Sequence, residues 1–190
     1  MKIGFTTSFP VEVVFAAGHT PIDMNNIFVS GNATDFVEQA EFDGYPRNIC
    51  SWIKGMYSVA LTSEMDAVIG VIEGDCSNTH SLMSTLTDKN IDVISFSFPH
   101  NKNRKKLAEE IEKLEHYFNV DHAKVLEIKE QLDKIRKKLI TLDELTFKEN
   151  KVTGLENHLW LVNSSDFNGD PVDFEKRLDE FILEAENRNP

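Results

Sequence analysis

The feature that most constrains this chain is the alternation of short apolar runs with helical segments over its first hundred residues. Parallel strands must be joined by long crossovers, and helices usually form them, so this alternation favours a parallel sheet covered by helices. We therefore predict an α/β domain at residues 1–100 with a doubly wound sheet of Rossmann or flavodoxin type. The predicted strands are Lys2–Thr7, Asn26–Val29, Ala67–Glu73 and Asp92–Phe98, and the predicted helices begin near Pro10 and Thr34 and span Cys50–Leu61 and Ser77–Thr87.

Residues 101–190 follow a different pattern, which predicts a helical subdomain. Apolar residues recur there at spacings of three and four, as on one face of an amphipathic helix. We predict a helical hairpin over residues 101–140 that projects from the sheet and is broken near Asn119 to Asp121. Its many lysines are interpreted as a solvated face. Within residues 141–190, further helices are predicted at Leu155–Asn163 and Pro171–Glu186.

Charge and hydropathy exclude several classes of function. The net charge of −12 argues against a protein that neutralises nucleic-acid phosphates over its surface. The sequence has no apolar run long enough to cross a membrane, and its first residues do not resemble a signal peptide. We therefore expect a cytoplasmic protein without nucleic-acid or membrane partners. The glycine patterns of dinucleotide sites and P-loops are also absent from the sequence.

The chain contains two cysteines, Cys50 and Cys76, which are either buried apolar residues or ligands. Their separation does not match the paired spacing of zinc or redox dithiol motifs. Both stand beside predicted helix starts, where backbone N–H groups and the positive end of the helix dipole stabilise a thiolate. Arg47 and Lys54 are expected to add positive charge near Cys50.

Other polar residues are expected near the carboxyl ends of the strands, where ligands collect in such sheets. Glu12 is predicted to lie in the first turn of a helix, and Ser8 to cap that helix rather than to bind a ligand. The run from Asp23 to Asn26 is interpreted as a turn that enters a strand. The remaining candidates at this edge are His19, His80 and Pro99–His100, although an isolated histidine is more often a surface or capping residue.

Three segments carry a resemblance to a known family: FTTSFPVEVVFAAGHTPIDMNNIFVSG, GYPRNICSWIKG and VIGVIEGDCSNTH. They resemble the 2-hydroxyacyl-CoA dehydratase family, which also includes benzoyl-CoA reductase subunits and double-cubane-cluster proteins. The resemblance covers at least residues 1–100 and continues more weakly to the end of the chain. It is carried most strongly by the stretch from Ser8 to Gly18 and by the surroundings of the two cysteines.

The resemblance implies an iron–sulfur cofactor, either a 4Fe–4S cluster or a double-cubane cluster, with Cys50 and Cys76 as its first two ligands. In the family, members are longer and a third cysteine comes from a second α/β domain, which this sequence lacks. Such clusters need about three or four protein thiolates. Either a separate polypeptide completes the site, or this chain is a fragment, or the short form has lost the cluster; the ending at Pro190 favours the fragment.

The resemblance also implies a function, namely reductive chemistry on an acyl-CoA thioester under anaerobic conditions. The implied partners are a second dehydratase-type subunit and an ATP-dependent activator protein, which delivers the electron that converts the substrate to a ketyl radical. A double-cubane-cluster reductase or electron-transfer protein is an alternative. Another alternative, from a different class, is a non-catalytic α/β interaction module in which both cysteines are buried, neutral thiols.

Overall fold

A computed structural model describes residues 1–189. Within them a sheet of four strands is formed by β1 (Lys2–Phe5), β2 (Thr20–Asp23), β3 (Ala67–Glu73) and β4 (Asp92–Ser97). The strand order is β2-β1-β3-β4, and all neighbours are parallel. This is the order of the flavodoxin-like sheet, in which the connections reverse direction between β1 and β3. The prediction of a doubly wound α/β fold is confirmed.

The sheet is buried because its strands are apolar on both faces. Along β3, Ile69 and Val71 belong to the core on one face, and Val68 belongs to the core on the other. All three are completely buried. A continuous apolar run of this kind is expected for a parallel strand that is covered by helices on both sides.

Helices cover the two faces in separate groups. Against one face pack α2 (Met24–Ser30), α3 (Ala33–Phe42), α4 (Ser51–Thr62) and α5 (Asn78–Asp88). Against the other face pack α1 (Val11–Ala16), α6 (Arg104–Phe118) and α7 (His122–Phe147). The predicted helix starts near Thr34, Cys50 and Ser77 each fall within one residue of the observed start.

The predicted strand at Asn26–Val29 is wrong, because these residues belong to α2. The strand precedes them, at Thr20–Asp23. Asp23 ends the strand and begins the helix, since its side chain accepts a hydrogen bond from the backbone N–H of Asn25 at 2.9 Å. An aspartate N-cap satisfies a free N–H of the first turn and so favours a helix over a turn into a strand.

The predicted helical hairpin is present, with its break at Asn119 in the left-handed conformation (φ 50°, ψ 50°). However, α7 continues to Phe147, and the hairpin does not project from the sheet. Leu114 and Leu132 lie in the same buried cluster as Phe5 of β1. The apolar stripe that predicted the two helices is therefore the surface by which they join the core. The domain boundary at residue 100 stays a prediction.

The chain ends with α8 (Gly154–Asn163), a short 3-10 turn at Phe167–Gly169, and α9 (Pro171–Glu186). Asp166 connects this region to the edge strand, because its carboxylate accepts hydrogen bonds from the N–H groups of Asp23 and Asn168, both at 2.8 Å. Burial raises the pKa of Asp166 above its usual range. None of the helices within residues 1–189 combines the length and apolar character needed to cross a bilayer.

Candidate functional site

A cavity of about 300 Å³ opens at the carboxyl ends of the strands and contains both cysteines in its wall. Residues that follow β1 and β3 meet there, so the cavity lies at the switch point of the sheet. Ligands bind at this position in open α/β sheets, because the connections on either side diverge and leave a crevice. The lining residues are Thr6, Thr7, Asn25, Cys50, Trp52, Ile53, Met56, Asp75, Cys76 and Thr79.

Cys76 reaches the cavity from the turn that follows β3. Gly74 adopts φ +93° in this turn, and a Cβ atom there would stand 2.8 Å from Cβ of Phe98. Glycine is required at this bend for both reasons. The carbonyl of Cys76 then accepts a hydrogen bond from the N–H of Thr79 at 3.0 Å, as α5 begins. The thiol is exposed.

Cys50 reaches the cavity from the other side, as the N-cap residue of α4. Its thiol is also exposed. The loop that leads to Cys50 is held by Lys54, whose buried Nζ donates to the carbonyl oxygen of Arg47 at 3.2 Å. Both predicted helix-start positions of the cysteines are confirmed.

The prediction that Arg47 and Lys54 supply positive charge to Cys50 is not supported. Nζ of Lys54 lies 2.6 Å from a carboxylate oxygen of Glu41, and Nε of Arg47 lies 3.6 Å from the other. The lysine side chain is only 2% exposed, so its ammonium group needs this partner. Both cations are thus directed at Glu41, and the buried Lys54 also holds the loop before Cys50 through the carbonyl of Arg47.

Sequence reasoning missed one wall of the cavity, formed by Trp52 and Asn25. The indole Nε1 of Trp52 donates to Oδ1 of Asn25 at 2.6 Å. The amide nitrogen of Asn25 in turn donates to the carbonyl of Thr6 at 3.0 Å and to Oδ1 of Asp23 at 2.7 Å. The only sequence signal for this arrangement was a polar residue two positions after Asp23, the N-cap of α2.

Two other sequence candidates have structural roles. Ser8 is exposed and does not cap α1, whose N-cap is Pro10 without a side-chain hydrogen bond. Glu12 does lie in the first turn of α1, as predicted, but its Oε1 is 2.8 Å from Nη2 of Arg136 on α7. Because this carboxylate is paired and mostly buried, it ties α7 of the hairpin to α1.

The three candidate histidines do not line the cavity. His19 directly precedes β2 and lies at the opposite edge of the sheet, where its ring packs 5.8 Å from that of Phe118, so its predicted location is wrong. His80 is exposed on the first turn of α5. The backbone N–H of His100 donates to a carboxylate oxygen of Glu73 at 2.9 Å.

A comparison with protein families matches residues 6–190 to 2-hydroxyglutaryl-CoA dehydratase, D-component. The chain belongs to this family. The predicted resemblance to the 2-hydroxyacyl-CoA dehydratases is therefore confirmed, over essentially the whole chain. A comparison with curated proteins finds no match.

The cysteines of this dehydratase-family chain fit part of an iron–sulfur ligand set. Thiolates are the ligands that such clusters use, and two exposed thiols here share one cavity. Within residues 1–189 no three His, Cys, Asp or Glu side chains are grouped closely enough to hold a metal ion. The cavity thus presents two exposed thiols and an open side. Burial of both thiols, which the non-catalytic interpretation required, does not occur.

Proposed function

We propose that this chain is the iron–sulfur subunit, or an N-terminal portion of it, of a 2-hydroxyacyl-CoA dehydratase-type enzyme. The observation that carries the proposal is the shared cavity of Cys50 and Cys76 at the switch point of the sheet. The cysteines are 26 positions apart in the sequence, and cysteines that merely fill a core need not converge. Membership of the dehydratase family supports the same assignment.

Cys50 and Cys76 would each supply one thiolate to the cluster. The remaining ligands come from outside residues 1–190, since the sequence holds no further cysteine. A continuation of the chain or a second dehydratase-type subunit would provide them across the open side of the cavity. The nuclearity, 4Fe–4S or double-cubane, depends on that second ligand set.

The bound cluster would supply low-potential one-electron chemistry to an acyl-CoA thioester, with electrons from an ATP-dependent activator protein. The residues of this chain have simpler tasks. Cys50 and Cys76 stand at the N-terminal ends of α4 and α5, where the positive end of each helix dipole would suit the negative charge of a bound cluster. Ile53 and Met56 line the inner wall and limit the entry of water.

The test is the iron content of the complete assembly, purified without oxygen, in which Cys50→Ser or Cys76→Ser has been introduced. Each substitution removes one thiolate and should lower bound iron and the broad visible absorption that accompanies it. Dehydration of a 2-hydroxyacyl-CoA in the presence of activator and ATP should be lost as well.

Ser77→Ala serves as the matched control, because Ser77 adjoins Cys76 and its side chain forms no capping hydrogen bond. This variant should retain the iron content of the wild-type protein. Unchanged iron in both cysteine variants, or a wild-type assembly without iron, would contradict the proposal. If the wild-type assembly binds iron but reduces a substrate without removing its hydroxyl group, the result would instead assign the double-cubane reductase activity.

A further inference from the structure

Two buried threonines belong to the wall of the cysteine cavity. Thr6 directly follows β1 and is 6% exposed, and Thr79 lies on the first turn of α5 and is 1% exposed. Both line the same cavity as Cys50 and Cys76. Buried hydroxyl groups normally have hydrogen-bond partners, so the partners of these two need to be identified.

Thr79 differs from the threonines that lie farther along the helices. Those donate to the carbonyl four residues earlier; examples are Thr62 to Ser58 at 2.8 Å, Thr85 to Ser81 at 2.8 Å and Thr87 to Met83 at 3.0 Å. Four residues before Thr79 the chain has not yet entered α5. Among residues 1–189 the Thr79 hydroxyl forms no hydrogen bond, although the side chain is almost completely buried. Its oxygen is not among the fully enclosed side-chain polar atoms that lack a partner in the described part of the chain, which are Tyr45 Oη and Asn157 Oδ1, so the hydroxyl group is open to the cavity that Thr79 lines.

Thr6 presents a second donor. Its Oγ1 accepts a hydrogen bond from the N–H of Val71 at 3.2 Å, which extends the pairing of β1 with β3 beyond the end of β1. Its own hydroxyl proton is donated to no group in the described part of the chain. A hydroxyl can accept and donate at once, so this proton is free for a ligand in the cavity.

We propose that the hydroxyl groups of Thr79 and Thr6 donate hydrogen bonds to sulfur atoms of the iron–sulfur cluster and thereby raise its reduction potential. The inference rests on the proposed function, because it assigns a role toward the group that Cys50 and Cys76 would hold. Reduction adds negative charge to the sulfurs, and donors near them stabilise the reduced form. The two threonines are thus tuning residues rather than ligands.

The experiment compares Thr79→Val with the wild-type protein in the complete anaerobic assembly, by a redox titration followed by electron paramagnetic resonance. Valine has nearly the shape of threonine and lacks the hydroxyl group. The midpoint potential should shift to a more negative value, while iron per protein stays at the wild-type level. Thr79→Ser restores the hydroxyl and should return the potential to that of the wild type.

Thr87→Val is the matched control, since Thr87 lies on the last turn of α5 and its hydroxyl already donates to Met83. Its potential should equal that of the wild type. Where Thr79→Val loses iron through misfolding, Thr79→Ala removes the same hydroxyl without added bulk, and the same negative shift is expected.

Three outcomes would overturn the proposal. An iron-loaded Thr79→Val or Thr79→Ala variant with an unchanged potential removes the tuning role and leaves the cysteine assignment intact. A Thr79→Ser variant that keeps the shifted potential shows that packing, not the hydroxyl, is responsible. A wild-type assembly that binds no iron ends the proposed function and the tuning role together.

Discussion

Replacement of Gly55 by alanine should destabilise the protein, even though alanine is the better helix former. Gly55 lies near the middle of α4, the helix that begins after Cys50. A Cβ atom at this position would stand 2.3 Å from Cε2 and 2.4 Å from Cδ2 of Phe28. Ordinary carbon contacts are about 3.5 to 4.0 Å, so the ring would have to move by more than an ångström.

The ring has little room for that movement. Phe28 is 5% exposed, and its ring packs edge to face against Trp52 at 5.0 Å. Overpacking of a core costs about 1 to 3 kcal/mol, and a displacement above an ångström favours the upper half of that range. The glycine-to-alanine change returns about 1 kcal/mol through helix propensity. The net loss should be about 1 to 2 kcal/mol.

The assay is thermal unfolding followed by circular dichroism. For a chain of this size, that loss lowers the melting temperature by about 2 to 8 °C. Gly154→Ala is the control, because a Cβ atom at Gly154 meets no other atom within 4 Å, and its melting temperature should not fall. A Gly55→Ala protein as stable as the wild type would refute the argument that Phe28 limits the space at this position.

Two further predictions concern the hairpin and the C-terminal region. Leu132→Ala should lower the free energy of unfolding by about 2 to 5 kcal/mol, since Leu132 is 2% exposed in a core shared with the sheet. Far-ultraviolet circular dichroism should show one unfolding transition of the whole chain, at a lower temperature. A separate early transition of the hairpin, with the sheet still folded, would contradict this. Hydrogen bonds from the backbone and side chain of Thr153, and then from Arg188, lower the pKa of Glu156 from its ordinary value of 4.5. The ionised carboxylate therefore stabilises the folded protein above pH 4.5, and this stabilisation is lost as the pH falls through the lowered pKa of the folded state. The difference in melting temperature between Glu156→Gln and the wild type should therefore be largest near neutral pH and shrink below about pH 4.5, and a constant difference would show that the charge is not responsible.

The sequence by itself determined the elements whose signals are local and long. The apolar run of β3 is bounded by turn residues, and its predicted first and last residues agree with the structure. The same agreement holds for α9, where proline stands at the first position of the helix. The hairpin followed from a sustained helical period. The positions of Cys50 and Cys76 beside helix starts came from the same kind of signal. These features depend on neighbours in the chain, so no tertiary contact was needed to infer them.

Tertiary structure decided the features that depend on distant partners. The short apolar run after Asp23 fits a strand or a helix by its pattern, and the edge position beside β1 is taken instead by Thr20–Asp23, which pair with that strand. The charges of Arg47 and Lys54 were assigned to Cys50 because they are close in sequence, yet Glu41 binds both across a turn. Likewise, the order of the strands brings Thr6, Thr79 and the two cysteines to one cavity. Pairing of this kind is set by the path of the whole chain, which local patterns do not encode.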